Sequence, residues 1–426
     1  MRRLAIVAAV TALALTGVVT AASAAGPPVP PNLGLKSPTQ PPPPPPPPPP
    51  PAAPGGVTTQ ETIDLDKFAS GIFGRLNGNV VGFSYAIARN GAVVRSGAGG
   101  FRRLDHDGGA DAFTADTMTQ AASTSKTITA AALAKALHER GLSVDSQIGK
   151  YLPRCWKKGP SVNSFTFRDV LGHHTMLPDA QGCADDPLLC ILEMIAKGTP
   201  ARRKQDVEPY RYSNSVYGLV RVLVPFVLSR VEMQLKFGLA KPRCRKRTEQ
   251  HNKLVSDRFR EYVFEKVLAP AGAVASFFPQ GDGVEDWAYV YNKANLAQPG
   301  VAPREDFHLR AGAGYLAIGA RSYARFLSAL DAGLIVPKSL AEEMKGVPNN
   351  RMGFDKAIGG ELGDYVWKNG GCPSAEGTKP GCSALAVVFP NGMQAFVAIN
   401  SSNNTYKPLH GGLDKIVRDA FDEALL

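Results

Sequence analysis

At 426 residues the chain has room for two or three average domains or for one large two-lobed unit. Its 44% hydrophobic and 20% charged residues exclude a wholly disordered chain and supply the apolar mass for a sizeable core. Much of the formal charge of +11 is local, in Lys241, Arg243, Arg245, Lys246 and Arg247 with Arg258 and Arg260 beyond; such a run suits an anionic polymer such as cell wall, a membrane surface, or a solvated loop.

Arg2 and Arg3 precede an apolar run, Leu4 to Val19, which ends in Ala22-Ser23-Ala24. A basic start, an apolar run and an A-x-A site predict a secretory signal peptide over residues 1–24, cut after Ala24. The run is shorter than the roughly 20 residues a spanning helix needs, so no integral membrane segment is expected after cleavage. The expected location is periplasmic or secreted, where nucleic acid is not an expected partner. Residues 25–56 read as a linker around the unbroken run Pro41 to Pro51, which adopts extended polyproline II and cannot enter a core.

Order is expected from 57 to 424. Residues 59–75 carry helical periodicity through Ile63, Leu65, Phe68, Ile72 and Phe73. Val80 to Ala88 and Ala92 to Ser96 read as strands around an Asn90-Gly91 hairpin turn. Ile128 to Arg140 forms a helix, and another is expected over 255–268. Near the end, Tyr365 to Lys368, Ser383 to Phe389 and Met393 to Ile399 are strand-like, with a closing helix from Leu409 to Leu425. The economical architecture is α+β. One antiparallel sheet is built from both chain ends (57–118 and 306–424), terminal helices flank it, and a helical lobe (119–305) is inserted.

Six cysteines stand at 155, 183, 190, 244, 372 and 382, none in a C-x-x-C spacing, so zinc has little support and no metal or other cofactor is expected. In an oxidising compartment an even number suggests disulfides. Spacing does not fix the pairing, although Cys183/Cys190 and Cys372/Cys382 are close in sequence, which would leave Cys155 for Cys244.

The chemical signal begins at Ser123-Thr124-Ser125-Lys126, running into the helix. Positions i and i+3 share a helix face, so hydroxyl and amine point into one cleft. Desolvation and the positive helix N-terminus disfavour an ammonium at Lys126, and a neutral amine can accept the Ser123 proton. Tyr212-Ser213-Asn214 adds a phenol and an amide; flanking lysine cations are expected to lower the Tyr212 pKa. Lys368-Asn369-Gly370-Gly371 follows a strand and adds a cation, an amide and glycines that permit close approach to substrate. Lys-x-Gly also occurs at Lys157 and Lys236; order and strand context select Lys368.

Ser-x-x-Lys, Tyr-x-Asn and Lys-x-Gly in this order resemble the class C β-lactamases and the low-molecular-weight D,D-peptidases (penicillin-binding) and esterases of the same fold. The likeness extends to FTADTMTQAASTSKTITAAALAKALHERGL, to FTFRDVLGHHTMLP and to AGAGYLAIGARSYARFL, and covers about residues 57 to 424. The resemblance implies an α+β fold of the β-lactamase/D,D-peptidase type and Ser123 as acylated nucleophile. It implies shared general-base and general-acid duty for Lys126 and Tyr212, with Asn214 positioning Lys126 and the substrate amide. Lys368, with Asn369 and Gly370, would meet the substrate's carboxylate and hold Tyr212 ready. The backbone N–H groups of Ser123 and Gly371 would form the oxyanion hole.

The chain departs from the family pattern at Asn369, where threonine is usual, and at Met176, where His173-His174-Thr175-Met176-Leu177-Pro178 has lost a glycine. About 25 residues carrying the basic cluster are inserted after Asn214. The expected substrates are small molecules or peptides: β-lactams or D-alanyl peptides first, on the strength of Lys368, and carboxylic esters as the alternative. Peptidoglycan is a candidate partner. A non-catalytic wall-binding or sensor protein is the competing class.

Overall fold

The computed structural model describes residues 63–179, 187–200, 210–238, 247–277, 287–293, 295–302, 310–346, 351–372, 381–402 and 412–426. The leader, the proline-rich linker and Lys241, Arg243, Arg245 and Lys246 lie outside them.

Seven strands form one antiparallel sheet: β1 (Gly82–Arg89), β2 (Ala92–Arg103), β3 (Asp111–Ala112), β4 (Lys356–Gly360), β5 (Gly363–Cys372), β6 (Cys382–Val388) and β7 (Met393–Ile399). The order across the sheet is β3-β2-β1-β7-β6-β5-β4, so the two chain ends meet at its centre, where Phe83 pairs with Ile399. β7 reads MQAFVAI and is buried at every position, as a strand covered on both faces requires. Asn90 and Gly91 both have positive φ (53° and 82°), the geometry a tight hairpin needs for the strand twist. The expected strand at 92–96 runs on to Arg103, and that at 365–368 to Cys372.

The helices that bear on the site are α1 (Leu65–Leu76), α2 (Ser125–Glu139), α3 (Asn214–Leu228), α4 (Arg230–Phe237), α5 (Thr248–Tyr262), α6 (Ala320–Asp331) and α7 (Leu413–Ala424). α1 and α7 cover one sheet face, where Phe68, Tyr365, Phe389 and Phe421 interlock and Phe389 stacks on Phe421 at 3.9 Å. α7 meets that face through Ile416, Val417, Ala420, Phe421 and Ala424, one apolar stripe of an otherwise charged helix. The other face carries α2, α3, α5 and α6 in a larger core. α2, rich in alanine, is buried nearly all round and forms its axis. The helix expected at 255–268 instead starts at Thr248, seven residues earlier, and gives way at Val263 to a π-helical turn. No helix among the described residues is long and apolar enough to cross a membrane.

Cys372 and Cys382 are register partners at the ends of β5 and β6 and form a disulfide. Cys155 and Cys190 are also disulfide-bonded, while Cys183 and Cys244, on which the other two pairings rest, lie outside the described residues. Closing so short a loop restricts the unfolded chain by about 2–3 kcal/mol. The double change Cys372→Ser, Cys382→Ser is therefore expected to lower the urea midpoint by a corresponding amount. An unchanged midpoint would show that the bond adds nothing to stability.

Candidate active site

Three segments and a sheet edge converge at the N-terminal end of α2. Residues Ala122–Thr124 form a single 3₁₀ turn that feeds the helix, and Ala122 has φ 45°. A non-glycine residue there is strained by about 1–2 kcal/mol, a cost met by neighbouring bonds. The Ala121 N–H donates to Leu316 O (2.8 Å), the Thr124 hydroxyl to Ala121 O (2.6 Å) and the Tyr323 hydroxyl to Thr124 O (2.7 Å). Gly370 on β5 presses against the same turn. A Cβ there would lie 2.7 Å from Ala121 O and 2.8 Å from Ser123 N, so only glycine lets the strand approach so closely.

Ser123 Oγ lies 2.6 Å from the Tyr212 hydroxyl and 3.1 Å from Lys126 Nζ. Lys126 is fully buried. Its amine donates to Asn214 Oδ1 (2.8 Å) and to the Ala313 carbonyl, and stands over the rings of Tyr212 and Tyr217. Burial above all, and then the Lys368 cation, holds its pKa well below the usual lysine value. The neutral form fits this environment atom by atom. An –NH₂ group has two hydrogens, which Asn214 and Ala313 accept, and one lone pair, which is left for the Ser123 hydroxyl.

Tyr212 and Asn214 flank Ser213, whose hydroxyl caps α3 by accepting from the Val216 N–H (3.2 Å). Asp179 in turn accepts from the Ser213 and Ser215 hydroxyls and from the Ser215 N–H, which fixes the lead-in to α3. Tyr212 departs from expectation: its pKa is raised, not lowered. Burial of the phenol is the largest cause, and the Asp355 and Asp179 carboxylates add to it against the Ser123 hydrogen bond. The lysine effect expected from sequence is weak because Lys126 favours the neutral form and Lys368 carries its own counter-ion. Tyr212 is therefore a phenol in the resting site.

His173 stacks on Tyr212 and Tyr217 at 4.6 and 4.8 Å between ring centroids. Burial, followed by the Lys126 and Lys368 charges, pushes its pKa down to about 2. The Ser213 N–H donates to His173 Nδ1 (3.2 Å), which requires that nitrogen to be unprotonated. His173 is thus a neutral brace behind Tyr212. Met176, in the loop that has lost its glycine, keeps the left-handed backbone at φ 56° and bears the strain.

On β5, Lys368 is 1% exposed and forms an ion pair with Asp355, Nζ to Oδ1, at 2.5 Å. The second Asp355 oxygen accepts from the Asn369 N–H (3.2 Å). Removing one partner of a buried pair costs about 3–5 kcal/mol, so neither charge is loosely held. Lys368 Nζ stands 5.2 Å from the Tyr212 ring centroid. The pairing of β4 with β5 ends at Trp367, so residues 369–372 have β6 as their one strand partner and turn their other edge to the Ser123 turn, where Gly371 follows the close contact at Gly370. A cleft of about 450 Å³ opens beside them, lined by His174, Tyr210, Tyr212, Arg351, Asp355 and Asn369 among others.

Ser123, Lys126, Tyr212, Asn214, Lys368, Asn369 and Gly370 are brought together here, and Gly371 is the next residue along β5. Asp355 and the Ala313 carbonyl were missed. Nothing local marks Asp355, a lone acid before a strand, and a backbone acceptor has no side-chain signature. Ala313 does lie in the glycine-rich AGAGYLAIG segment, the only pointer available.

The sheet and helices form a β-lactamase/transpeptidase-like fold, here with a serine, two lysines and a tyrosine at one cleft. Residues 58–228 match the family described as Beta-lactamase, a span that holds Ser123, Lys126, Tyr212 and Asn214 and stops short of Lys368. Among solved structures the chain is similar to the octameric penicillin-binding protein homologue from Pyrococcus abyssi (TM-score 0.57, 20% identity, 82% of this chain and 76% of that one). It is also similar to the D-amino acid amidase from Ochrobactrum anthropi SV3 (0.60, 18%, 83% and 97%) and to FmtA from Staphylococcus aureus (0.59, 15%, 86% and 93%). Curated proteins give no match. At these identities the structural likeness concerns the fold. Together with the matched segment it is in line with the β-lactamase/D,D-peptidase family.

Proposed function

We propose that the chain is an exported serine hydrolase that cleaves amide, lactam or ester bonds through an acyl-enzyme on Ser123. The observation that carries this is the position of Ser123 Oγ between a buried amine (3.1 Å) and a phenol (2.6 Å). The Ser123 proton passes to the Lys126 lone pair as Oγ bonds to the acyl carbon. The carbonyl oxygen becomes an oxyanion held by the backbone N–H groups of Ser123 and Gly371. Tyr212, still a phenol, gives its proton to the leaving group and regains one from Lys126. Water then enters, and the same groups in reverse release the acid and restore Ser123.

The names of the similar structures, a penicillin-binding protein homologue and a D-amino acid amidase solved with L-phenylalanine amide, support an amide among the substrates. Esters remain the alternative. Export is supported by the Arg2-Arg3 leader pattern and by the Cys372–Cys382 bond, a feature that favours an oxidising compartment. The proline run would then act as a spacer and the basic cluster as a contact for anionic wall polymer.

A fluorophosphonate probe tests the reaction. Incubation is expected to add the mass of one probe less HF per chain, as Ser123 Oγ displaces fluoride from phosphorus, on the peptide containing Ser123. Labelling elsewhere, or none, would remove Ser123 from its role. Which acyl donors the site accepts then depends on what occupies Lys368.

A further inference from the structure

The carboxylate of Asp355 is built into the place where the cleft would otherwise offer its cation. One of its oxygens takes Lys368 Nζ at 2.5 Å and the other takes the Asn369 N–H at 3.2 Å, so a single carboxylate satisfies both adjoining donors. The segment that carries it is not free to swing away. The Asp355 N–H donates to Trp367 O (2.9 Å), the Thr127 hydroxyl on α2 donates to Gly353 O (2.7 Å), and the Gly353 N–H reaches Leu171 O (3.3 Å). Gly353 itself has φ 84°, and a Cβ there would lie 2.6 Å from the Ala130 Cβ. Asp355 is thus delivered to Lys368 by backbone wedged against the nucleophile helix.

We propose that Asp355 acts through Lys368 as an internal substitute for a substrate carboxylate, so that this hydrolase selects acyl donors with no negative charge beside the scissile bond. The proposal rests on the Ser123 reading above and names the substrate class of that site. Lys368 and Asp355 are both largely buried, so their charges cancel within the cleft wall. A donor bearing its own carboxylate must displace Asp355 from two hydrogen bonds or sit beside it as a second anion, and like charges at such range repel strongly in a partly dry site. The second anion carries a further penalty. Lys126 already feels Asp355 as a group that favours its ammonium, and another carboxylate adds to that pull on the amine required as base. A donor whose leaving group is an uncharged amide or ester meets neither obstacle. Lys368, held by Asp355, keeps its place beside the Tyr212 ring and acts on the phenol rather than on the substrate.

The test uses a matched pair of thioesters that differ in one charge, hippuryl thioglycolate and its methyl ester, assayed with the full-length protein. The native protein is expected to prefer the methyl ester by at least 10-fold in kcat/KM, with most of the difference in KM. Asp355→Asn keeps the shape and removes the charge. It is expected to shrink that preference at least 10-fold through a lower KM for the free acid, an effect that a merely structural role would not confine to one member of the pair. The native ratio decides even where the variant fails to fold. Equal or faster turnover of the free acid by the native protein overturns the proposal. So does an Asp355→Asn variant that changes both substrates alike. So does Ser123 labelling by fluorophosphonate without turnover of either thioester. Absence of labelling together with absence of turnover would instead sink the hydrolase reading itself.

Discussion

Ser123→Ala is expected to reduce kcat/KM by about 10⁴-fold or more on whichever acyl donor the native protein turns over, and to abolish covalent adducts in an intact-mass measurement. The size follows from the geometry. The hydroxyl is the one group that meets both Lys126 and Tyr212, and with it gone neither proton carrier has a nucleophile to serve. The proposed oxyanion donors, both backbone groups, and the cleft survive the change, so a residue of catalysis over water is expected to remain. Binding is expected to persist, because the cleft lining is untouched. A variant that retains turnover within ten-fold of native would show that the reacting oxygen is not this one.

Lys126→Ala is expected to lower acylation by at least about 100-fold. The pH profile separates this loss from simple damage. The pKa of Lys126 is held well below that of free lysine, and the proposed mechanism uses the neutral amine. In the native protein the rate therefore falls as pH drops through that value and the amine takes up a proton. It rises to a plateau above it. In the alanine variant that acid limb disappears with the group that produces it. Asn214 Oδ1 and Ala313 O lose their donor, which costs about 1–3 kcal/mol of stability, so a thermal melt is recorded beside the kinetics. Near-normal turnover, or an unchanged acid limb, would refute the base assignment.

The architecture was legible where the sequence carries periodicity or turn chemistry. The Asn90-Gly91 turn placed one hairpin, and the apolar run Met393 to Ile399 placed a central strand to the residue. The extensions of β2 to Arg103 and β5 to Cys372 were not legible, since glycines at 97, 99, 100, 370 and 371 argue locally against strand. Those glycines are there for packing. A Cβ on Gly97 or Gly99 would collide with the rings of Tyr85 or Phe83, and one on Gly370 with the Ser123 turn.

The site was readable as a set of side chains and misread as an electrostatic system. Ser123, Lys126, Tyr212, Asn214 and Lys368 could be chosen from order and spacing. The direction of the Tyr212 shift could not, because it depends on how far the surrounding fold desolvates the phenol and on Asp179 and Asp355, two acids distant in sequence. The ion pair of Lys368 with Asp355 was equally invisible, since the acid stands 13 residues away with no motif around it.

The central pairing of Phe83 with Ile399 bears on the order of events during biosynthesis. The first strand waits for almost the last before the sheet can close, and Gly370 cannot buttress the nucleophile turn until β5 has β6 beside it. A chain still emerging from the ribosome has Ser123, Lys126 and Tyr212 in hand but no wall to hold them. The surroundings of Ser123 are therefore among the last parts of the fold that can be completed, whatever the order in which the segments before them take shape.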